Sequence, residues 1–182
     1  MGCESGQGTG IYLLVHPIVL RRALRIRIIA VGKIREPYLQ DGIKEYLKRL
    51  GPYFRVEILE IPEERIPDRC SGNEKYLIQS REGGRILAAV PDEGPALALD
   101  PGGEAWTSGD LARFLSERNL EGVAVISFLI GGPLGLPPEV RNASRHTVSL
   151  SRMTFPHQMV RLILLEQIYR ASKILSGEPY HK

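Results

Sequence analysis

Strands and amphipathic helices alternate along this chain, and the alternation predicts a doubly wound α/β domain on a mostly parallel sheet. Three observations carry the prediction. Residues 123–130 (Val-Ala-Val-Ile-Ser-Phe-Leu-Ile) are apolar on both faces, as strands covered by helices on each side are. In residues 37–50, Tyr38, Leu39, Ile43, Tyr46, Leu47 and Leu50 recur at helical spacing between a starting proline and a closing Gly51-Pro52. Glycine- or proline-bearing loops also follow three of the predicted strands.

The elements follow in order. Residues 25–31 alternate and then run apolar, a first strand ended by Gly32-Lys33. The 37–50 helix leads to a second strand at 56–61, after which the polar, proline-containing stretch 62–72 reads as an exposed loop. Helical periodicity returns over 73–90, weakened by Gly83-Gly84, which cost about 1 kcal/mol each inside a helix. Residues 96–100 form a short buried strand followed by a Pro101-Gly102-Gly103 loop, and Thr107 or Ser108 caps a helix through Leu120. After the 123–130 strand, the turn Gly131-Gly132-Pro133-Leu134-Gly135 opens a short helix at 137–143. A fifth strand at 146–150 and a long final helix complete the pattern, with no internal repeat or linker.

A chain of 182 residues is expected to hold about one domain and to bury roughly 70% of its unfolded surface. The division expected is a poorly ordered extension at 1–24 and a single domain over 25–182. Cys3 and Cys70 have no CxxC or Cys/His partner spacing, so they read as free thiols of a reducing, cytoplasmic setting. The apolar run at 11–20 is interrupted by His16-Pro17 and followed, not preceded, by Arg21 and Arg22. It is too short to span a bilayer and wrongly flanked for a secretory signal, so no membrane association is expected. Met1-Gly2-Cys3 lacks the Ser or Thr that acylation wants at position 6, where Gly stands. The net charge is only +3 but uneven: 21–55 hold 10 Lys/Arg against 3 Asp/Glu, 56–144 hold 8 against 15, and 145–182 hold 6 against 2. Two basic ends brought together would form a patch for a polyanion; solvated helix faces are the alternative.

In open α/β sheets ligands bind beyond the carboxyl ends of the strands. Three loops leave such ends here, at 100–103, 130–135 and 149–156, and their glycines allow backbone to approach a ligand closely. Competing chemistries fail on spacing. No Lys follows Gly131–Gly135 as a phosphate-binding loop requires, and a lone Gly32 follows the first strand where a dinucleotide fingerprint needs three glycines. His146, His157 and His181 lack zinc-site spacing, and no Gly-x-Ser-x-Gly elbow exists; no metal is expected. The last thirty residues place His157, Arg161, Glu166, Tyr169, Arg170, Tyr180 and His181 on and beyond an apolar helix, more polar chemistry than a structural tail needs.

Taken as whole segments, the chain resembles the RlmH family of SPOUT-superfamily methyltransferases. The matching strings are Ala30-Val31-Gly32-Lys33, Tyr46-Leu47-Lys48-Arg49, Leu99-Asp100, Leu129-Ile130-Gly131-Gly132-Pro133, Ser149-Leu150-Ser151, the run from Thr154 to Arg161, Glu166-Gln167-Ile168-Tyr169-Arg170-Ala171 and Pro179-Tyr180-His181-Lys182. The resemblance covers residues 26–182. It departs from the family in the first 24 residues and at Leu134, where relatives often carry a polar or acidic residue.

The resemblance implies a C-terminal trefoil knot, an exception to the usual rule against knots, and a homodimer. It implies methyl transfer from S-adenosylmethionine to N3 of a pseudouridine in 23S rRNA of the assembled ribosome. It places the cofactor on Leu99, on Gly131 and Gly132, and on Ser151, Arg152, Met153, Thr154, Phe155 and Pro156. Candidates for aligning the base and removing its proton are His157, Arg161, Arg170, Tyr180 and His181. Each has a structural alternative: His157 as a helix-start residue, Arg161 and Arg170 as ion-pair or dimer residues, Glu166 as an arginine partner. Arg22, Arg25, Lys33, Arg35, Lys48 and Arg49 are candidate phosphate contacts. A catalytically silent ribosome-binding or assembly protein, or a related knotted tRNA methyltransferase, are the alternative functions.

Overall fold

A computed structural model describes residues 24–180; the proposed extension and His181 lie outside the described residues, apart from Leu24. Five strands form one parallel sheet in the order β2-β1-β4-β3-β5: β1 (Arg25–Val31), β2 (Arg55–Ile61), β3 (Ala96–Ala105), β4 (Val125–Ile130) and β5 (His146–Ser149). The helices between and after them are α1 (Pro37–Leu50), α2 (Gly72–Ala89), α3 (Ser108–Leu120), α4 (Pro138–Ala143) and α5 (His157–Leu175).

The two-residue period of the strands sorts their side chains into two cores. Ile26, Ile28 and Ala30 of β1, with Ile126 and Phe128 of β4, pack against Ile43 of α1, Leu111 and Leu115 of α3, and Leu164, Leu165 and Ile168 of α5. The intervening Ile29 and Val31, with Leu129, face Ile86 of α2 and Val140 of α4. Helices therefore cover both faces, and all six residues of β4 are buried.

Local chemistry sets the element ends. Thr107 caps α3, accepting from Asp110 N while the Asp110 carboxylate accepts from Thr107 N; Ser71 and Glu74 form the same reciprocal box on α2. Gly83, a liability for a lone helix, has a use in the packing. A Cβ there would sit 2.4 Å from Pro137 Cγ and 3.1 Å from Val140 Cγ2, so the missing side chain lets α4 lie against α2.

Two expectations need correcting. The expected Pro101-Gly102-Gly103 loop lies inside β3, because the strand resumes its pairing with β5 after a register shift: Leu99 and Glu104 both pair with Val148. Residues 100–103 thus bulge from a continuing strand. β4 starts at Val125, since Gly122 and Val123 still hydrogen-bond back to the end of α3.

Candidate active site

With every strand parallel, their carboxyl ends open on one edge. The bulge in β3 and the loops leaving β4 and β5 meet there around a cavity of about 390 Å³. Its lining includes Leu99, Gly131, Gly132, Ser151, Met153, Thr154, Phe155 and Pro156, eight of the nine positions assigned to the cofactor. Arg152 does not line it and is exposed. Met153 stands at the rim, 72% exposed.

The loops are fixed to one another. Arg141 of α4 donates to Asp100 Oδ2 and to Leu136 O, both at 3.1 Å, clamping the β3 exit to the β4 exit. Gln79 of α2 donates to Leu134 O, and Gly135 N closes the turn on Gly132 O at 2.9 Å. In the loop after β5, Ser149 Oγ donates to Ser151 O at 2.8 Å and Met153 N to Ser151 Oγ at 2.9 Å. The turn leaves no room at Gly131, where a Cβ would lie 2.6 Å from Gly135 C.

Of the proposed catalytic residues that are described, only His157 lines this cavity; His181 lies outside the described residues. It is the first residue of α5, and burial, aided by the charge of Arg161, holds its imidazole below the ordinary value of 6.5 despite the opposing pull of Glu63. At neutral pH it is a neutral acceptor. Arg161, one turn on, is 0% exposed. Its Nη2 donates to Val31 O at 2.6 Å and Gly32 O at 2.7 Å, and its Nη1 to Glu60 Oε1 at 3.1 Å. It binds the end of β1 beneath the site and does not reach the cavity.

Arg170 and Tyr180 form a separate cluster with Glu166. Arg170 donates to Glu166 Oε1 at 2.8 Å, Tyr180 OH donates to the same oxygen at 2.6 Å, and the guanidinium lies 4.1 Å over the Tyr180 ring. Glu166 is thus an arginine partner, as its structural alternative held. Burial and Glu166 push the Tyr180 phenol well above its ordinary range, so it keeps its proton. At 1.5 Å per residue, Arg170 lies about 20 Å along α5 from His157. Neither Arg170 nor Tyr180 lines the cavity.

A second cleft of about 870 Å³ adjoins the first and shares His157 with it. It runs between the loop after β1 and the start of the β2–α2 connection. The wall between the clefts carries a residue missed in the sequence: Glu82 of α2, 2% exposed, accepts from Glu64 N at 2.9 Å, and a Cβ at Gly132 would lie 3.1 Å from its Oε2. Burial raises its carboxyl above the ordinary 4.5, and Glu63 and Glu64 push the same way. A lone glutamate in a helix reads as a surface charge, so only the packing reveals it. Among the described residues no group of acidic, histidine or cysteine side chains could hold a metal, and no helix is long and apolar enough to cross a membrane.

Comparison with known proteins adds a lineage to this geometry. Residues 24–181 match the family described as "Predicted SPOUT methyltransferase". The chain is 52% identical over 160 residues to a protein of Heliobacterium modesticaldum named ribosomal RNA large subunit methyltransferase H, covering 87% of this chain and 99% of that one. It is 54% identical over 161 residues to a Symbiobacterium thermophilum protein of the same name, covering 87% and 100%. A probable methyltransferase from Bordetella pertussis, known from its crystal structure, aligns with a TM-score of 0.51 at 15% identity, covering 84% of this chain and 98% of that one, a likeness of fold alone.

Proposed function

This chain belongs to the SPOUT methyltransferase family, and from that premise we propose that it methylates large-subunit ribosomal RNA with S-adenosylmethionine, at N3 of a pseudouridine in the assembled ribosome. The observation that carries the reading is the convergence of eight of the nine proposed cofactor residues on one cavity. The cavity fits the cofactor: its volume suits a small ligand, its walls are largely apolar, and Gly131 and Gly132 present backbone where side chains would collide.

When bound, S-adenosylmethionine supplies an electrophilic methyl group. The chain's own residues then orient and deprotonate. His157 Nε2, neutral at working pH, accepts the N3 proton of the base. Arg161 is a positioning residue that fixes the end of β1 beside His157. Arg170, Tyr180 and His181 contribute, in this reading, by reaching the cavity of a second copy, because neither Arg170 nor Tyr180 lines the cavity of its own chain. A homodimer is supported by half-buried Met159 and Ile163, four residues apart on α5. The reading also includes the C-terminal trefoil knot, a single domain over 25–182 behind an extension at 1–24, and a cytoplasmic location.

Calorimetry with S-adenosylmethionine, followed by nucleoside mass spectrometry of rRNA and tRNA from a knockout, tests the proposal. Expected are measurable cofactor binding and loss of one N3-methylated pseudouridine from 23S rRNA. Absence of both favours a silent ribosome-binding protein, and a loss confined to tRNA favours a tRNA enzyme; either overturns the reading.

A further inference from the structure

The second cleft is lined by Lys33, Arg35 and Arg65 and by Glu60, Glu63 and Glu64, a set that is neutral by count and not by engagement. Glu60 accepts from Ile34 N at 3.1 Å and pairs with Arg161. Glu64 pairs with Arg85 and, at 3.7 Å, with Arg81. Both carboxylates are neutralised by residues outside the lining. Lys33, Arg35 and Arg65 are exposed and form no ion pair among the described residues. The cleft therefore offers uncommitted positive charge.

Glu63 is the exception, and its place is informative. Its Oε2 lies 3.1 Å from the point where a Gly32 Cβ would stand, and His157 Nε2 lies 3.8 Å from the same point. One negative charge thus sits at the junction of the two clefts, where it repels an anion and tolerates a neutral ring. The loop that presents Lys33 and Arg35 is also held in shape, since Arg35 N donates to Gln158 Oε1 at 3.2 Å and Gln40 Nε2 to Ile34 O at 2.9 Å.

We propose that this cleft is the backbone subsite for the RNA: Lys33, Arg35 and Arg65 receive phosphodiester groups beside the target nucleotide, and the base passes Glu63 and His157 into the cofactor cavity. The inference rests on the methyltransferase reading. It also divides the basic residues singled out in the sequence. Arg25 is paired with Glu93 and Arg49 with Glu45, and Lys48 lies about 16 Å along α1 from the cleft.

The test uses the full chain and ribosomes lacking the modification. Combined Lys33→Gln, Arg35→Gln and Arg65→Gln replacement is expected to raise KM for ribosomes roughly tenfold or more, and to flatten the dependence of log affinity on log salt by about one per cation removed. S-adenosylmethionine affinity by calorimetry and the melting temperature stay at their wild-type values. Arg113→Gln, on α3 and paired in the wild type with Asp110, changes none of these. Unchanged KM and salt slope in the triple variant overturn the proposal. A raised KM with an unchanged slope also overturns it, because the contact is then not to phosphate. Loss of cofactor binding in the wild-type chain is a separate result: it sinks the methyltransferase reading, and this inference falls with it.

Discussion

The two clefts that meet at His157 are built from opposite materials. The cavity proposed for the cofactor is lined mostly by glycine, proline, apolar and small hydroxyl residues, while its neighbour is lined by six charged side chains. On the proposed reading, the difference teaches how one small sheet edge separates two ligands. An apolar, backbone-lined cavity recognises a shape; a charged cleft recognises a polyanion at long range and with strong dependence on salt. Their shared wall holds Arg161, His157 and Glu82, and it is there that the contrast can be broken.

The largest effect is expected at Arg161, whose loss leaves Val31 O and Gly32 O without their donor and Glu60 without its cation. Arg161→Met should cost about 2–4 kcal/mol, because two carbonyls lose their donor while the 37%-exposed Glu60 is resolvated; the melting temperature should fall by roughly 5 °C or more, and both clefts should be lost together. Next is His157→Gln, expected to lower kcat about a hundredfold with cofactor affinity nearly unchanged; equal losses in kcat and in cofactor binding would instead make His157 a wall residue. Because burial lowers the His157 pKa, the folded chain binds fewer protons than the unfolded chain in the window just below 6.5. Stability from this residue is lost as pH falls through that window, and the Gln variant should flatten that part of the melting curve against pH.

Gly131→Ala forces a Cβ against the backbone of Gly135, at a cost of about 1–3 kcal/mol. It should weaken S-adenosylmethionine binding by tenfold or more in calorimetry while the salt slope for ribosomes stays unchanged, sharpening the contrast between the clefts. The smallest effect is at Glu82. Its raised carboxyl means that the folded chain holds more protons above pH 4.5 than the unfolded chain, so stability is lost as pH rises through the raised value. Glu82→Gln keeps an acceptor for Glu64 N and removes the buried charge; the melting temperature should rise by about 2 °C at pH 7.5 and not at pH 4.

Much of this was legible in the sequence, for reasons that differ by element. β1 and α1 begin and end where expected because alternation, a proline start and a glycine stop are local signals. The loops leaving β4 and β5 were readable for the same reason. The β3 bulge was not, since its continuation depends on Val148 of a strand some forty residues away. Gly83 counted against α2 in the sequence and for it in the fold, because only α4 gives the missing side chain a purpose. Charge alone could not distinguish Lys33 from Arg49, which differ in whether a carboxylate already holds them. The last thirty residues looked like one site because they are adjacent in sequence; helical rise carries Arg170 away from His157, and Tyr180 folds back onto Glu166 beside it.

The bonds from Arg161 to Val31 and Gly32 span 130 and 129 residues. Contacts so distant in sequence form only after most of the chain has found its place, so no fragment stopping short of α5 can hold the floor of the site. A nascent chain whose α5 has yet to emerge therefore has no assembled site, and catalytic competence is a readout of completed folding.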